Sequence, residues 1–355
     1  MPTPLPIRDR PVRLAVVGLG QIAELALPPY AERDDVEVVG LCDLDPALLE
    51  RWRPVFPGAH LTTDLDDLLR LPVDVVDVLV PTPLHGRVAT QVVTAGHHVQ
   101  LQKPLTTSLD EADGLLEAAA RTGAVVRVME DYIHFPPLVE LREVLRRGEV
   151  GTPQALHMKV VATARGGWEV NPASYVWQFE QARSGLGILT FDHGWHQFAL
   201  AHWLFGPIRR IFGWVRREGD VLDVPATFVW EHDNGVRAVL EMVLAGDMYF
   251  RSDYYADDER VEVVGTKGYV RCNRISGRGV QEPSLAVYRD GEVRTWHALP
   301  DEPPDAFRAS AAHGMEWFRT GEGDLLLDGP TARAVLVSLL AGLESSALAR
   351  PVDVG

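Results

Sequence analysis

One stretch constrains this chain more than any other. Residues 13–23 read Arg-Leu-Ala-Val-Val-Gly-Leu-Gly-Gln-Ile-Ala, a buried-looking strand that runs through a glycine turn into a helix start. A second apolar run, Val36 to Cys42, ends at Asp43. Strand, glycine turn, helix and a distal acid form the dinucleotide-binding fingerprint, and each part has a physical task. Gly18 permits the tight turn, Gly20 leaves room for a pyrophosphate, and Ala23 keeps helix and strand close. The N–H groups around Gln21 and Ile22 then face an anion at the positive end of the helix dipole. Asp43 is placed to accept hydrogen bonds from the adenosine ribose. A carboxylate there repels the extra phosphate of NADP, so NAD is the expected cofactor and NADP the less favoured one.

Between Arg13 and Glu130, short apolar runs alternate with helical patterns, as a parallel sheet with crossover helices requires. Strands are predicted at Leu14–Val17, Val36–Cys42, Val75–Val80, His98–Leu101 and Val125–Met129. Helices are expected at Leu84–Ala95 and Asp110–Arg121, the latter capped by Ser108 and closed by Gly123. A helix near Leu138–Arg147 leads out, and the pattern then changes to successive strands with hairpin signals at Asp233-Asn234-Gly235 and Arg289-Asp290-Gly291. A helical segment spans roughly Gly187 to Phe205, and two helices, near Asp305–Arg319 and Thr331–Leu348, close the chain. The expected fold class is an α/β Rossmann domain over residues 1–131, followed over 132–355 by an α+β domain with a large open, mostly antiparallel sheet. The final helix is allowed to pack back on the first domain.

With 355 residues there is material for two cores. A formal net charge of -16 and the absence of a basic stripe argue against a nucleic-acid partner. Cys42 and Cys272 give no disulfide framework and fit a reducing compartment. The proline-rich start lacks a signal peptide's apolar core, and no apolar run reaches membrane-spanning length, Val73 to Val80 being broken by Asp74 and Asp77. A cytoplasmic protein with no membrane partner is expected.

Ligands of open parallel sheets bind beyond the carboxyl ends of the strands. Pro81-Thr82-Pro83-Leu84-His85, Gln102-Lys103-Pro104 and Glu130-Asp131-Tyr132 all fall there. Lys103 alone reads equally well as a surface lysine. Together with Val99–Leu105, Gly148-Glu149-Val150-Gly151, Asp192-His193-Gly194-Trp195-His196, Gly265-Thr266-Lys267-Gly268 and Asp328-Gly329-Pro330, these segments resemble the glucose–fructose oxidoreductase / inositol dehydrogenase (Gfo/Idh/MocA) group over nearly the whole chain.

That resemblance implies an NAD-dependent oxidoreductase acting on the CH–OH group of a sugar, cyclitol or glycoside. It implies Lys103 as catalytic lysine, Asp192 as motif acid and His196 as the histidine that exchanges the hydroxyl proton. It places Thr82, Pro83, His85, Gln102 and Lys103 beside the cofactor, and it implies a homodimer or homotetramer. Asp192 and His196 are four apart in a helical pattern, so they are expected on one face. The residues alone also allow His196 to be a packed helix histidine and Asp192 a helix-terminal charge. Asp192, His193 and His196 match no standard ligand set, and no metal is expected.

The pattern departs in three places. Gln102 stands where relatives usually have Glu, Ala199 where many have Asp, and the segment Glu130–Phe135 is altered. Tyr132, His134, Arg165, Trp168, Trp177 and His193 are candidate substrate contacts, because aromatic faces suit sugar rings and arginine suits an acidic group. Packing and surface charge explain the same residues equally well. Two other functions stay open: glycoside cleavage in which NAD is reduced and re-oxidised within one cycle, and a non-catalytic NAD-sensing regulator.

Overall fold

The computed structural model describes residues 1–219, 221–273 and 282–354. They form two compact units, one of residues 1–130 and 307–336, the other of 131–306 and 337–355.

In the first unit the strands are β1 (Val12–Val17), β2 (Val36–Cys42), β3 (His60–Thr62), β4 (Val75–Val78), β5 (His98–Gln102) and β6 (Val126–Met129). Their order is β3-β2-β1-β4-β5-β6 and every pair is parallel. The order reverses at β1, so the crevice of such a sheet opens beyond the ends of β1 and β4. Burial on both faces explains the uninterrupted apolar runs: β4, β5 and β6 are buried throughout. The helices form where their signals lie. Leu109–Thr122 starts at Ser108, whose hydroxyl accepts the Glu111 N–H at 3.3 Å, and it ends at Gly123 in the left-handed region.

The second unit holds β7 (Pro153–Arg165), β8 (Ile208–Val215), β9 (Ala226–His232), β10 (Arg237–Tyr249), β11 (Asp257–Gly265), β12 (Gly268–Cys272), β13 (Leu285–Arg289), β14 (Glu292–Trp296) and β15 (Val352–Asp353). They pair in the order β14-β13-β12-β11-β7-β10-β9-β8-β15, antiparallel except β7 with β10. One face packs on the helix Gly194–Phe205: Phe198 stacks on Trp230 of β9 and meets Phe228 edge-on. The other face exposes Trp214, Tyr249 and Val293.

Three sequence expectations change. The segment from Gly187 to Phe205 is not one α-helix: Ile188–His193 is a π-helical turn and the α-helix runs from Gly194 to Phe205. Buried Asp223 builds that turn by accepting the Leu189 and Thr190 N–H groups, at 3.1 and 2.6 Å, and the Thr190 hydroxyl. A helix absent from the sequence reading covers Pro172–Arg183. Finally, one helix, Gly329–Leu348, is long and apolar enough by composition to cross a membrane. Its Ala332, Val335, Leu336 and Leu339 are fully buried within the protein, which accounts for its apolar character.

Candidate functional site

At the glycine turn, Gly18 has φ +92, and a Cβ there would lie 2.8 Å from the Leu79 carbonyl carbon. The Gly18 N–H donates to the Cys42 carbonyl at 2.8 Å and the Leu79 N–H to Val17 at 2.7 Å. The turn is therefore wedged between the ends of β1, β2 and β4, and only glycine fits. Gly20 differs: it is exposed, and a Cβ there would meet nothing within 4 Å. Packing does not require this glycine, whereas close approach of a pyrophosphate would. Gln21 and Ile22 follow, half-buried, and Ile22 precedes a helix of only four residues, Ala23–Ala26, cut short by Pro28 and Pro29.

Asp43 accepts the Leu19 N–H at 2.6 Å and the Asp45 N–H at 2.8 Å, one on each oxygen. Each carboxylate oxygen has a second lone pair for a ribose hydroxyl. The carboxylate thus ties the end of β2 to the glycine turn as well as being placed for a ligand. The residues present fit a bound NAD. Gly20→Val is expected to leave the melting temperature unchanged and weaken NADH binding at least about tenfold, read by fluorescence titration. Gly18→Ala is expected to lower stability by about 1–3 kcal/mol through the clash with Leu79. A Gly20→Val chain that binds NADH like the parent would remove the pyrophosphate role.

Thr82 is buried and Pro83 exposed in the short helical turn after β4. His85 is buried, with Nδ1 2.6 Å from the Pro104 carbonyl and Nε2 2.9 Å from the Val80 carbonyl. It braces the loops after β4 and β5. Gln102, at the end of β5, accepts the Lys103 N–H at 3.0 Å and directs its amide nitrogen to the Met129 sulfur at 3.8 Å. A glutamate could hold the same N–H but would present no donor to the sulfur, which gives the Gln102 departure a local reason. Lys103 is half-buried and joined to Pro104 by a cis peptide.

In the second unit the helix Gly194–Phe205 and its π turn bring a polar cluster together. His196 stacks on Tyr132, ring centroids 4.2 Å apart and planes 12° from parallel. Its Nδ1 lies 3.5 Å from Asp131 Oδ1, at the outer limit of a hydrogen bond. His193 meets His196 edge-on at 5.5 Å. Its Nε2 is 3.1 Å from Glu259 Oε1, the same oxygen that accepts the Tyr132 hydroxyl. Gln197 donates its amide to Glu259 Oε2 at 2.7 Å.

Glu259 is 1% exposed. Burial alone would raise its carboxyl, but neighbouring His193 and the donors from His193 and Tyr132 outweigh it and hold the group below its usual range. Asp257, two residues earlier on the same face of β11, is pushed up to about 6 by burial, with Glu259 adding to the shift. Burial also drives the Tyr132 hydroxyl well above its usual value, assisted by Glu259 and Asp131.

Of the sequence candidates, Tyr132, His193 and His196 share this cluster. Asp192 is half-buried in the π turn, where its N–H donates to the Gly187 carbonyl at 3.2 Å. The change of helical register at Gly194 removes the simple one-face argument for Asp192 and His196. His134 is buried in the turn Tyr132–His134. Trp168 instead meets Tyr254 and Tyr255 edge-on, at 5.9 and 5.6 Å. Arg165 is exposed at the end of β7, and Trp177 sits half-buried on the helix Pro172–Arg183. Sequence reasoning missed Asp131 as the partner of His196, and it missed Gln197, Asp257 and Glu259.

Residues 12–130 match the family model described as the oxidoreductase family, NAD-binding Rossmann fold, and residues 138–271 match the GFO/IDH/MocA C-terminal domain. The chain is similar to scyllo-inositol 2-dehydrogenase (NAD(+)) of Bacillus subtilis (strain 168), 25% identical over 350 residues covering 90% of each chain. It is also similar to D-apiose dehydrogenase of Paraburkholderia graminis, 27% identical over 297 residues, 82% of this chain and 73% of that one. The fold is shared with an Agrobacterium radiobacter oxidoreductase crystallised with NAD+, L-tartaric acid and magnesium, at a TM-score of 0.80, 19% identity and coverage of 97% and 98%. With both family models matched over most of its length, the chain belongs to the Gfo/Idh/MocA family of NAD-binding oxidoreductases.

Proposed function

We propose that this chain moves a hydride between nicotinamide and the CH–OH group of a sugar, cyclitol or glycoside, with Lys103 and His196 handling the hydroxyl proton. The observation that carries the reading is the setting of His196, held face-on by Tyr132 and flanked at Nδ1 by Asp131. A carboxylate on one ring nitrogen fixes the ring and stabilises the imidazolium formed when the other nitrogen takes a proton. Gly18, Gly20, Gln21, Ile22 and Asp43 would hold NAD, which when bound supplies the hydride acceptor. Lys103 would donate a hydrogen bond to the substrate oxygen and offset its charge as the proton leaves. Asp192 would act as the motif acid. Sequence similarity to the scyllo-inositol and D-apiose dehydrogenases supports a polyol or sugar substrate.

The test is incubation of the purified chain with NAD and a panel of inositols, aldoses, sugar acids and glycosides, following NADH absorbance and products together. Stoichiometric NADH with a keto or lactone product is the expected result. Release of an aglycone with no accumulating NADH would replace it with redox-assisted cleavage. Silence in both would replace it with an NAD sensor. The reading also includes a homodimer or homotetramer built on the exposed sheet face; a mass near the 39.2 kDa of one chain by light scattering would overturn that part.

A further inference from the structure

We infer that His193, Asp257 and Glu259 form a binding site for a first-row divalent cation, with the Gln197 side-chain carbonyl as a further oxygen donor. One ligand atom from each of the three residues lies within 4.8 Å of the others. With metal–ligand bonds of about 2.0–2.2 Å, donors around one cation are separated by roughly 3–4.4 Å, so only small rotations are required. The donors come from different elements: Asp257 and Glu259 share one face of β11, while His193 and Gln197 come from the π turn and the helix that follows.

Gln197 gives an independent indication. It is 2% exposed, and its amide nitrogen is fixed on Glu259, which settles the orientation of the amide. Its Oε1 is buried with no hydrogen-bond partner. The two amide atoms are about 2.2 Å apart by standard bond lengths, so this oxygen lies within roughly 5 Å of the Glu259 carboxylate. A buried acceptor within about 5 Å of the Glu259 carboxylate lacks a hydrogen-bond donor, and a cation would satisfy it. One imidazole with three oxygens is a donor set for Zn2+ or Mn2+, and it leaves positions for a ligand oxygen. Binding at this site does not depend on the hydride-transfer reading.

The tag-free chain, dialysed against a chelator and then freed of it, would be titrated with Mn2+, reading the free ion by electron paramagnetic resonance. Zn2+ would be added as competitor. One saturable Mn2+ site per chain, displaced by Zn2+, is expected. Asp257→Asn and Glu259→Gln should each weaken it at least tenfold while circular dichroism stays that of the parent. Asp257 is half-buried, so its variant carries the test if Glu259→Gln fails to fold. No saturable binding of either ion up to about 1 mM, or unchanged affinity in Asp257→Asn, would overturn the site.

Discussion

Lys103→Met is expected to fold, to keep NADH binding within about tenfold of the parent, and to lose at least about a hundredfold in kcat with its sugar or polyol substrate. Methionine keeps the length of the side chain and removes the ammonium. The backbone at this position is held independently of that side chain, through the Gln102 side-chain oxygen on the Lys103 N–H and the His85 ring on the Pro104 carbonyl. A fall in rate would therefore report lost chemistry rather than a displaced loop. His196→Asn should cost a similar factor. Asp131→Asn should cost less, about tenfold, because Asp131 acts by positioning and charging His196. In a His196→Asn background the Asp131 change should then have almost no further effect, since residues acting as a unit are not additive. Full kcat in Lys103→Met, or additive losses in the double variant, would remove these roles.

The first unit was legible because its strands are buried on both faces and its turn residues are dictated by geometry. Gly18 has no room for a side chain, and Ser108 and Gly123 mark the two ends of their helix. The cluster around His196 was less legible, since its partners come from remote segments. Glu259 was overlooked because β11 opens on Asp257-Asp258-Glu259, an acidic run that suggests solvent. Yet Glu259 is in phase with Val261 and Val263, both buried, and a charged residue at an inward position is the signal that could have revealed it. The helix Pro172–Arg183 escaped notice for a different reason. Tyr175, Val176 and Phe179 are exposed, so no apolar stripe appears. The π turn depends on Asp223, thirty residues beyond it and invisible to local periodicity. Gln102 is a bare departure in the sequence, and its reason lies in the Met129 sulfur on the neighbouring strand.

Arg127→Leu is expected to lower stability by about 3–5 kcal/mol, and by more at pH 8 than at pH 5. Arg127 is wholly buried in β6 and donates to the Gln100 side-chain carbonyl and, at 3.0 Å, to both the carbonyl and hydroxyl of Ser310. Gln100 in turn donates to the Tyr30 hydroxyl at 2.7 Å, and Tyr30 donates to Asp77 at 2.7 Å. Burial lowers the guanidinium to about 10, and burial raises Asp77 to about 6 against the opposing pull of Tyr30, Gln100 and Arg127. Both groups are therefore charged at neutral pH, as a buried pair bridged by neutral side chains. Leucine would leave Gln100 and Ser310 without their donor and Asp77 without its compensating charge. The folded-state value of Asp77 already lies above the unfolded value of about 3.9, so its favourable contribution is full below that value and is lost as pH rises through about 6. Without the guanidinium the folded value rises further. The carboxyl is then protonated and tolerated at pH 5 but is a lone buried anion or a costly retained proton at pH 8. Urea unfolding at the two pH values measures the difference. Adding Asp77→Asn should recover most of the extra loss at pH 8, because a neutral amide can still accept the Tyr30 hydroxyl. Equal losses at pH 5 and pH 8, or no recovery in the double variant, would show that Arg127 and Asp77 are not coupled.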